Sequence, residues 1–90
     1  MKEELKKYLK QKVVLDTSTS WVYIGTLEDV NDRCAVLSEV DVHDNKDTPS
    51  SKEIYIWQSA TSGIKANRDH TYINLDYIVG FSLLDDVKKF

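Results

Sequence analysis

Residues 2–11 place Leu5, Tyr8 and Leu9 at i, i+3, i+4 spacing, a single apolar stripe that predicts a short amphipathic helix. Glu3 and Glu4 at its start and Lys10 and Lys12 at its end suit the helix dipole. At Val13 the period changes. Val13-Val14-Leu15 opens a strand, and Asp16-Thr17-Ser18-Thr19-Ser20 is a polar turn cluster. Trp21 to Asp29 is rich in aromatic and β-branched residues and predicts a second strand, with Gly25 marking a bend, a bulge or a close backbone approach. Asn31-Asp32 is the next turn signal, and a third strand is expected from Cys34 to about Val42.

Polar residues from His43 to Ser51 end that meander. The following Glu53-Ile54-Tyr55-Ile56-Trp57 has strand composition, but its surroundings predict a helix over 51–62. Ser50 and Glu53 have capping-box spacing, Pro49 precedes them, and Gly63 can serve as the C-terminal stop. Ile54, Trp57, Ala60 and Thr61 share one face of that helix. Two further strands are expected at about 70–75 and 77–84, paired as a hairpin, before a terminal tail from Asp85. The chain holds no internal repeat, low-complexity tract or linker, so residues 1–90 are expected to form one domain. Its parts are an N-terminal helix (1–12), a three-strand meander (13–42), a loop and helix insertion (43–66) and two C-terminal strands (67–84).

Composition narrows the class. An apolar fraction of 41% with three Gly and one Pro is globular rather than disordered usage. No apolar run approaches the ~20 residues needed to span a bilayer, so no membrane partner is expected. The N-terminus alternates charge and leucine, which is not a signal-peptide pattern. A single cysteine, Cys34, cannot staple the domain; it is expected to be a buried, inert thiol in a reducing, cytoplasmic setting. The net charge of −3 is unevenly distributed. Residues 1–12 hold five lysines against two glutamates, a net +3, while the rest holds seven basic against thirteen acidic side chains, a net −6. Nucleic-acid binders usually show a basic footprint. Here it would have to be the N-terminal helix, although the same lysines also suit an ordinary solvated face.

The chemistry of catalysis and metal binding is missing from the pattern. Asp41, His43, Asp44 and Asp47 fit no structural zinc spacing. Two histidines 27 positions apart and scattered serines supply no nucleophile–base pair. The chain is expected to be non-enzymatic, with no metal and no cofactor.

The order of elements and two short motifs resemble the Sm-like (LSm/Hfq-type) proteins. "VYIGTLEDVNDRCAVLSEVD" is similar to the first family motif through Gly25, Leu27, Asn31-Asp32, Val36-Leu37 and Glu39, with a turn about one residue shorter. "INLDYIVGF" aligns with the second through Ile73 and Asp76, with Ile78 and Phe81 as apolar substitutes, and puts Asn74-Leu75 where the family has Arg-Gly. The resemblance implies a mainly β (α+β) fold: an N-terminal helix on a strongly bent five-stranded antiparallel sheet, a small SH3-like barrel, here with a helical insertion between strands 3 and 4.

It also implies a homo-oligomeric ring of five to seven copies joined edge to edge through the last strands. Tyr77, Val79 and Phe81 are the candidate interface, and 77–84 lacks the proline or lysine that protects a lone edge. Family members that bind single-stranded RNA do so at the two motif turns, which maps to Asn31, Asp32, Asn74 and Asp76, all of them ordinary turn formers too. Lys2, Lys6, Lys7 and Lys10 are the alternative RNA contacts. A structural or protein-interaction module on an SH3-like barrel, with no nucleic-acid role, stays open beside the RNA-binding ring.

Overall fold

The computed structural model describes residues 1–47 and 52–88. Helix α1 (Lys2–Lys6) leads into β1 (Lys12–Thr17), β2 (Trp21–Val30) and β3 (Cys34–Asp44); α2 (Lys52–Ser62), β4 (Arg68–Asn74) and β5 (Ile78–Leu83) follow, with single 3-10 turns at Asn45–Asp47, Leu75–Tyr77 and Leu84–Asp86. The five strands make one antiparallel sheet in the order β4-β3-β2-β1-β5. This is the Sm-like fold expected from the sequence. No helix among the described residues is long and apolar enough to cross a membrane.

The C-terminal strands do not form the expected hairpin. β4 pairs with β3 and β5 with β1, at opposite edges of the sheet. Only residues 75–77 separate them. Five flat strands would hold the outer two about 19 Å apart, whereas four residue steps reach at most about 14 Å. The sheet must therefore curl until its edges approach, and the turn is held at that point from both sides: Leu75 N–H donates to the Arg33 carbonyl (2.8 Å), and Ser18 N–H donates to the Tyr77 carbonyl (2.8 Å).

Gly25 sits at the bend. There Glu39 and Val40 oppose the single residue Gly25, a β-bulge in which Glu39 adopts a left-handed backbone (φ 48°). A Cβ on Gly25 would lie 3.0 Å from the Ser38 carbonyl oxygen and 3.3 Å from the Val40 Cα, so only glycine lets the two backbones come this close.

Both faces of the central strands are covered, which is why Val13-Val14-Leu15 runs apolar without alternation. Val13 and Leu15 join Leu5, Leu27, Leu37, Val40 and Ile73 in the inner core, with Tyr8 and Phe81 packed against it. Val14, Val22 and Ile24 point the other way and meet Ile56, Tyr55, Ile64, Leu84 and Val87. Cys34 is half-buried, at the start of β3 opposite Asn74, not enclosed as expected.

The expected N-terminal helix over 2–11 ends at Lys6. Past it the chain turns under β2: Lys10 N–H donates to the Leu27 carbonyl, Leu27 N–H to the Gln11 carbonyl, and Lys10 takes φ 69°. Leu5 is fully buried and Tyr8 half-buried, but Leu9 is left exposed. The stripe holds for one turn only.

The insertion helix does form, and Gly63 ends it with φ 93° and a hydrogen bond from its N–H to the Ser59 carbonyl. The expected cap at Ser50 lies outside the described residues. The packed face is Tyr55, Ile56 and Ser59, not the expected Ile54, Trp57, Ala60 and Thr61. A polar clamp sets that rotation. Asp41 on β3, only 5% exposed, accepts from the Tyr55 hydroxyl and from Asn67 Nδ2, while the His43 ring stacks on Tyr55 at 3.6 Å. Burial, reinforced by Asp41, pushes the Tyr55 hydroxyl far up, so it stays a donor.

These contacts set two expectations for stability. Gly25→Val should lower unfolding free energy by about 1–3 kcal/mol in urea titrations, whereas Gly80→Ala, whose Cβ would meet nothing within 4 Å, should cost far less. Equal losses would mean that the bend does not depend on Gly25. Tyr55→Phe should cost about 1–3 kcal/mol by removing one of the donors to a buried carboxylate, while Ile54→Ala on the exposed side should change the same unfolding curve little.

Candidate functional site

The curl brings the two motif turns together at one end of the sheet. Asn31 Oδ1 accepts from the Arg33 and Cys34 N–H groups (2.8 Å each), building the β2–β3 turn. Asn74 Oδ1 accepts from Asp76 N–H (2.9 Å) and caps the short turn between β4 and β5. Cys34 pairs with Asn74 across the strands, and Leu75 N–H bonds Arg33 from the neighbouring turn. Asn31, Asp32, Asn74 and Asp76 therefore do form one surface. Both asparagine oxygens, however, are already occupied in shaping their turns. Leu75, in the place of the family's glycine, packs half-buried against the inner core.

Arg33 was missed from the sequence. It lies exposed between these turns and makes no ion pair among the described residues, so it is the cation best placed beside them. Its position directly after Asn31-Asp32 was the available signal.

The lysines divide into two groups. Lys2 pairs with Asp32 and Lys10 with Glu28, which also accepts from the Ser38 hydroxyl. The Lys2 hydrogen bond and charge hold the Asp32 carboxyl below its ordinary range, and Lys10 followed by Ser38 does the same for Glu28. Lys6 and Lys7 are exposed and make no ion pair among the described residues. Only Lys2 and Lys6 belong to α1; Lys7 is its C-cap and Lys10 lies in the turn beyond. Half of the candidate basic set is thus matched by the sheet's own acids.

The two outer strands and the turn that joins them carry exposed apolar side chains. Tyr77 is 54% exposed and Val79 65%. Tyr72 on β4, absent from the sequence-based candidates, is 70% exposed. Phe81 instead turns inward against the core, its ring 5.7 Å from that of Tyr8. Sequence reasoning reached only the unprotected edge of the last strand, although an open sheet has two edges, and Tyr72 belongs to the other. No group of three or more His, Cys, Asp or Glu side chains suited to a metal occurs among the described residues.

No protein-family pattern matches the chain, and no curated protein sequence does. Solved structures do resemble it. The Sm protein of Pyrococcus abyssii, solved in complex with a uridine heptamer, superposes with a TM-score of 0.62 at 12% identity over 90% of this chain and 93% of that one. A chain from the NatC complex bound to CoA superposes with a TM-score of 0.58 at 10% identity, over 88% of this chain and 82% of that one. At such identities the likeness is one of fold: the chain is built on the Sm-like architecture.

Proposed function

We propose that this chain is a non-catalytic, cytoplasmic Sm-like module that closes into a ring of five to seven copies and uses the ring to hold single-stranded RNA weakly. The observation that carries the proposal is the pair of open edges. β4 and β5 each have one strand neighbour, and each leaves a row of backbone donors and acceptors on its other side. Tyr72 on β4 and Val79 on β5 stand exposed, with Tyr77 exposed in the turn that joins the two strands. Pairing β4 of one copy with β5 of the next uses both edges on every copy, and rotation closes the set. Phe81 supports this contact from within the core, while Tyr77 and Val79 meet the neighbour.

The RNA half of the proposal rests on charge and on the motif turns. Arg33 in the turn and Lys6, whose charge reaches Asp32, are cations beside the motif turns with no ion pair among the described residues, Lys7 is a third exposed one on the same N-terminal segment, and a ring repeats them once per copy, so individually weak phosphate contacts become multivalent. The Pyrococcus abyssii protein in its uridine complex supports the choice of ligand. Lys2 and Lys10 contribute only when phosphate displaces their carboxylate partners.

Light scattering of the purified chain should give several times the 10.4 kDa monomer mass, and Val79→Lys should reduce it to the monomer without unfolding, since Val79 is exposed in the single chain. A wild-type monomer at micromolar concentration would refute the ring.

In oligouridine titrations at low salt, replacing Lys6 and Lys7 by Gln should weaken binding and flatten the salt slope by roughly 0.7 for each phosphate that is no longer neutralised. Asp32→Asn, which releases Lys2, should tighten binding. Loss of binding on Asn74→Ala with the lysine variants unaffected would move the site to the motif turns alone. No binding of any oligonucleotide would favour a protein-interaction module on the same barrel.

A further inference from the structure

A cavity of about 300 Å³ opens at the end of the barrel beside the β1–β2 turn. Trp21, Tyr23, Tyr72 and Tyr77 contribute its aromatic walls, with Ile73 between them and Thr17, Thr19 and Asn74 as its polar members. No ring contact joins these four aromatics to one another, and none of the three tyrosine hydroxyls has a hydrogen-bond partner among the described residues. The rings are therefore not committed to one another.

Hydrogen bonds fix the backbone that carries two of them. Thr17 Oγ1 donates to the Trp21 carbonyl (2.7 Å), Trp21 N–H donates to Thr19 Oγ1 (3.1 Å), and the two threonine hydroxyls bond each other at 2.7 Å. The Ser18–Tyr77 backbone bond ties the segment bearing Tyr77 to the same turn.

Of the polar groups lining the cavity, both threonine hydroxyls are taken up in the turn and the Asn74 oxygen by Asp76 N–H, while the three tyrosine hydroxyls have no partner among the described residues. No lysine or arginine lines the cavity to hold a phosphate. The lining is dominated by electron-rich aromatic surface, in a chain whose residues after the twelfth carry a net −6. Aromatic faces attract cations, most strongly when the cation gives up little hydration. A bare ammonium would need a carboxylate to replace its water, and none lines the cavity. A methylated ammonium is weakly hydrated and needs only the ring faces.

We infer that the Trp21, Tyr23, Tyr72, Tyr77 cavity binds a methylated ammonium group. The site lies within one copy of the chain; because Tyr72 and Tyr77 are also assigned to the copy-to-copy contact, it is read in the Val79→Lys chain, which stays a monomer under the ring proposal. It also gives a second role to Tyr72, the most exposed of the large apolar side chains.

The test is a nuclear magnetic resonance titration of the full Val79→Lys chain with choline at constant ionic strength, read at the Trp21 indole N–H and at the backbone amides of Tyr72 and Tyr77. Choline should shift these resonances saturably. The uncharged isostere 3,3-dimethyl-1-butanol should bind at least about tenfold more weakly, because it keeps the shape and loses the charge. Tyr72→Ala, at an exposed position that does not threaten folding, should weaken choline several-fold.

A trimethyl-lysine peptide compared with phosphocholine then separates a modified protein from a lipid headgroup as the natural source. Equal binding of the neutral isostere would overturn the inference in favour of a plain apolar pocket. Stronger shifts of the same resonances by uridine monophosphate would overturn it in favour of base stacking, and no saturable shift by choline would overturn it outright.

Discussion

Three residues join β4 to β5, and the rest of the molecule accommodates that short connection. Because the strands belong to opposite edges of a five-stranded sheet, the sheet has to roll up, and each local irregularity serves the roll. Gly25 lets β2 and β3 approach at the bend, and the bulge at Glu39 absorbs the extra residue on the outside of the curve. The Arg33 and Ser18 backbone bonds fix the connection against both neighbouring turns. The same constraint creates the exposed edges. β4 and β5 approach without pairing, so each keeps an outer row of unpaired backbone groups, and the copy-to-copy contact proposed above is one way to satisfy them.

The roll also explains the insertion. A curled sheet encloses its inner side chains under α1 but turns Val14, Val22 and Ile24 outward, where water would otherwise meet them. α2 and the turn at Leu84–Asp86 cover that outer face. Apolar contact alone would allow the helix to slide along so small a patch. Asp41 makes its orientation specific: a buried carboxylate needs donors, and Tyr55 supplies one from the helix while Asn67 supplies another from the segment leading into β4. Asn67 additionally accepts from Val42 N–H and donates to the Val42 carbonyl, so both ends of the insertion return to the same stretch of β3.

Local patterns were legible in the sequence, and pairings between distant segments were not. The meander, the Asn31 turn, the bend at Gly25 and the stop at Gly63 are each determined by a few neighbouring residues, and each stands where the pattern placed it. The C-terminal hairpin failed because two adjacent strands joined by a short turn ordinarily pair, and only the curl offers β5 the free edge of β1 instead. The helix face differs because Ile56 packs on Val14, Val22 and Ile24 and Tyr55 bonds Asp41, fourteen residues away, and both are contacts with distant segments that the local spacing of Ile54 and Trp57 does not reveal. The N-terminal helix stopped early because the chain had to reach β2, where Lys10 and Gln11 exchange backbone bonds with Leu27.

The candidate RNA face shows most plainly what local pattern leaves out. Lys2 and Asp32 are thirty residues apart, yet the fold sets them side by side, and Lys10 and Glu28 behave likewise. Counting lysines in the first twelve residues therefore overstates the positive potential of that end. Exposed pairs of this kind are weak because solvent screens them, so an approaching phosphate can displace the carboxylate at small cost. What it cannot do is remove the carboxylate's charge from the vicinity. At that end a single copy then offers phosphate little beyond Lys6, Lys7 and Arg33, and the proposed ring would repeat that small surface several times around one axis. In the function proposed above, charge and assembly are therefore coupled: the acids that pair with Lys2 and Lys10 weaken a single copy's hold on phosphate, and repetition around a ring is what would restore it.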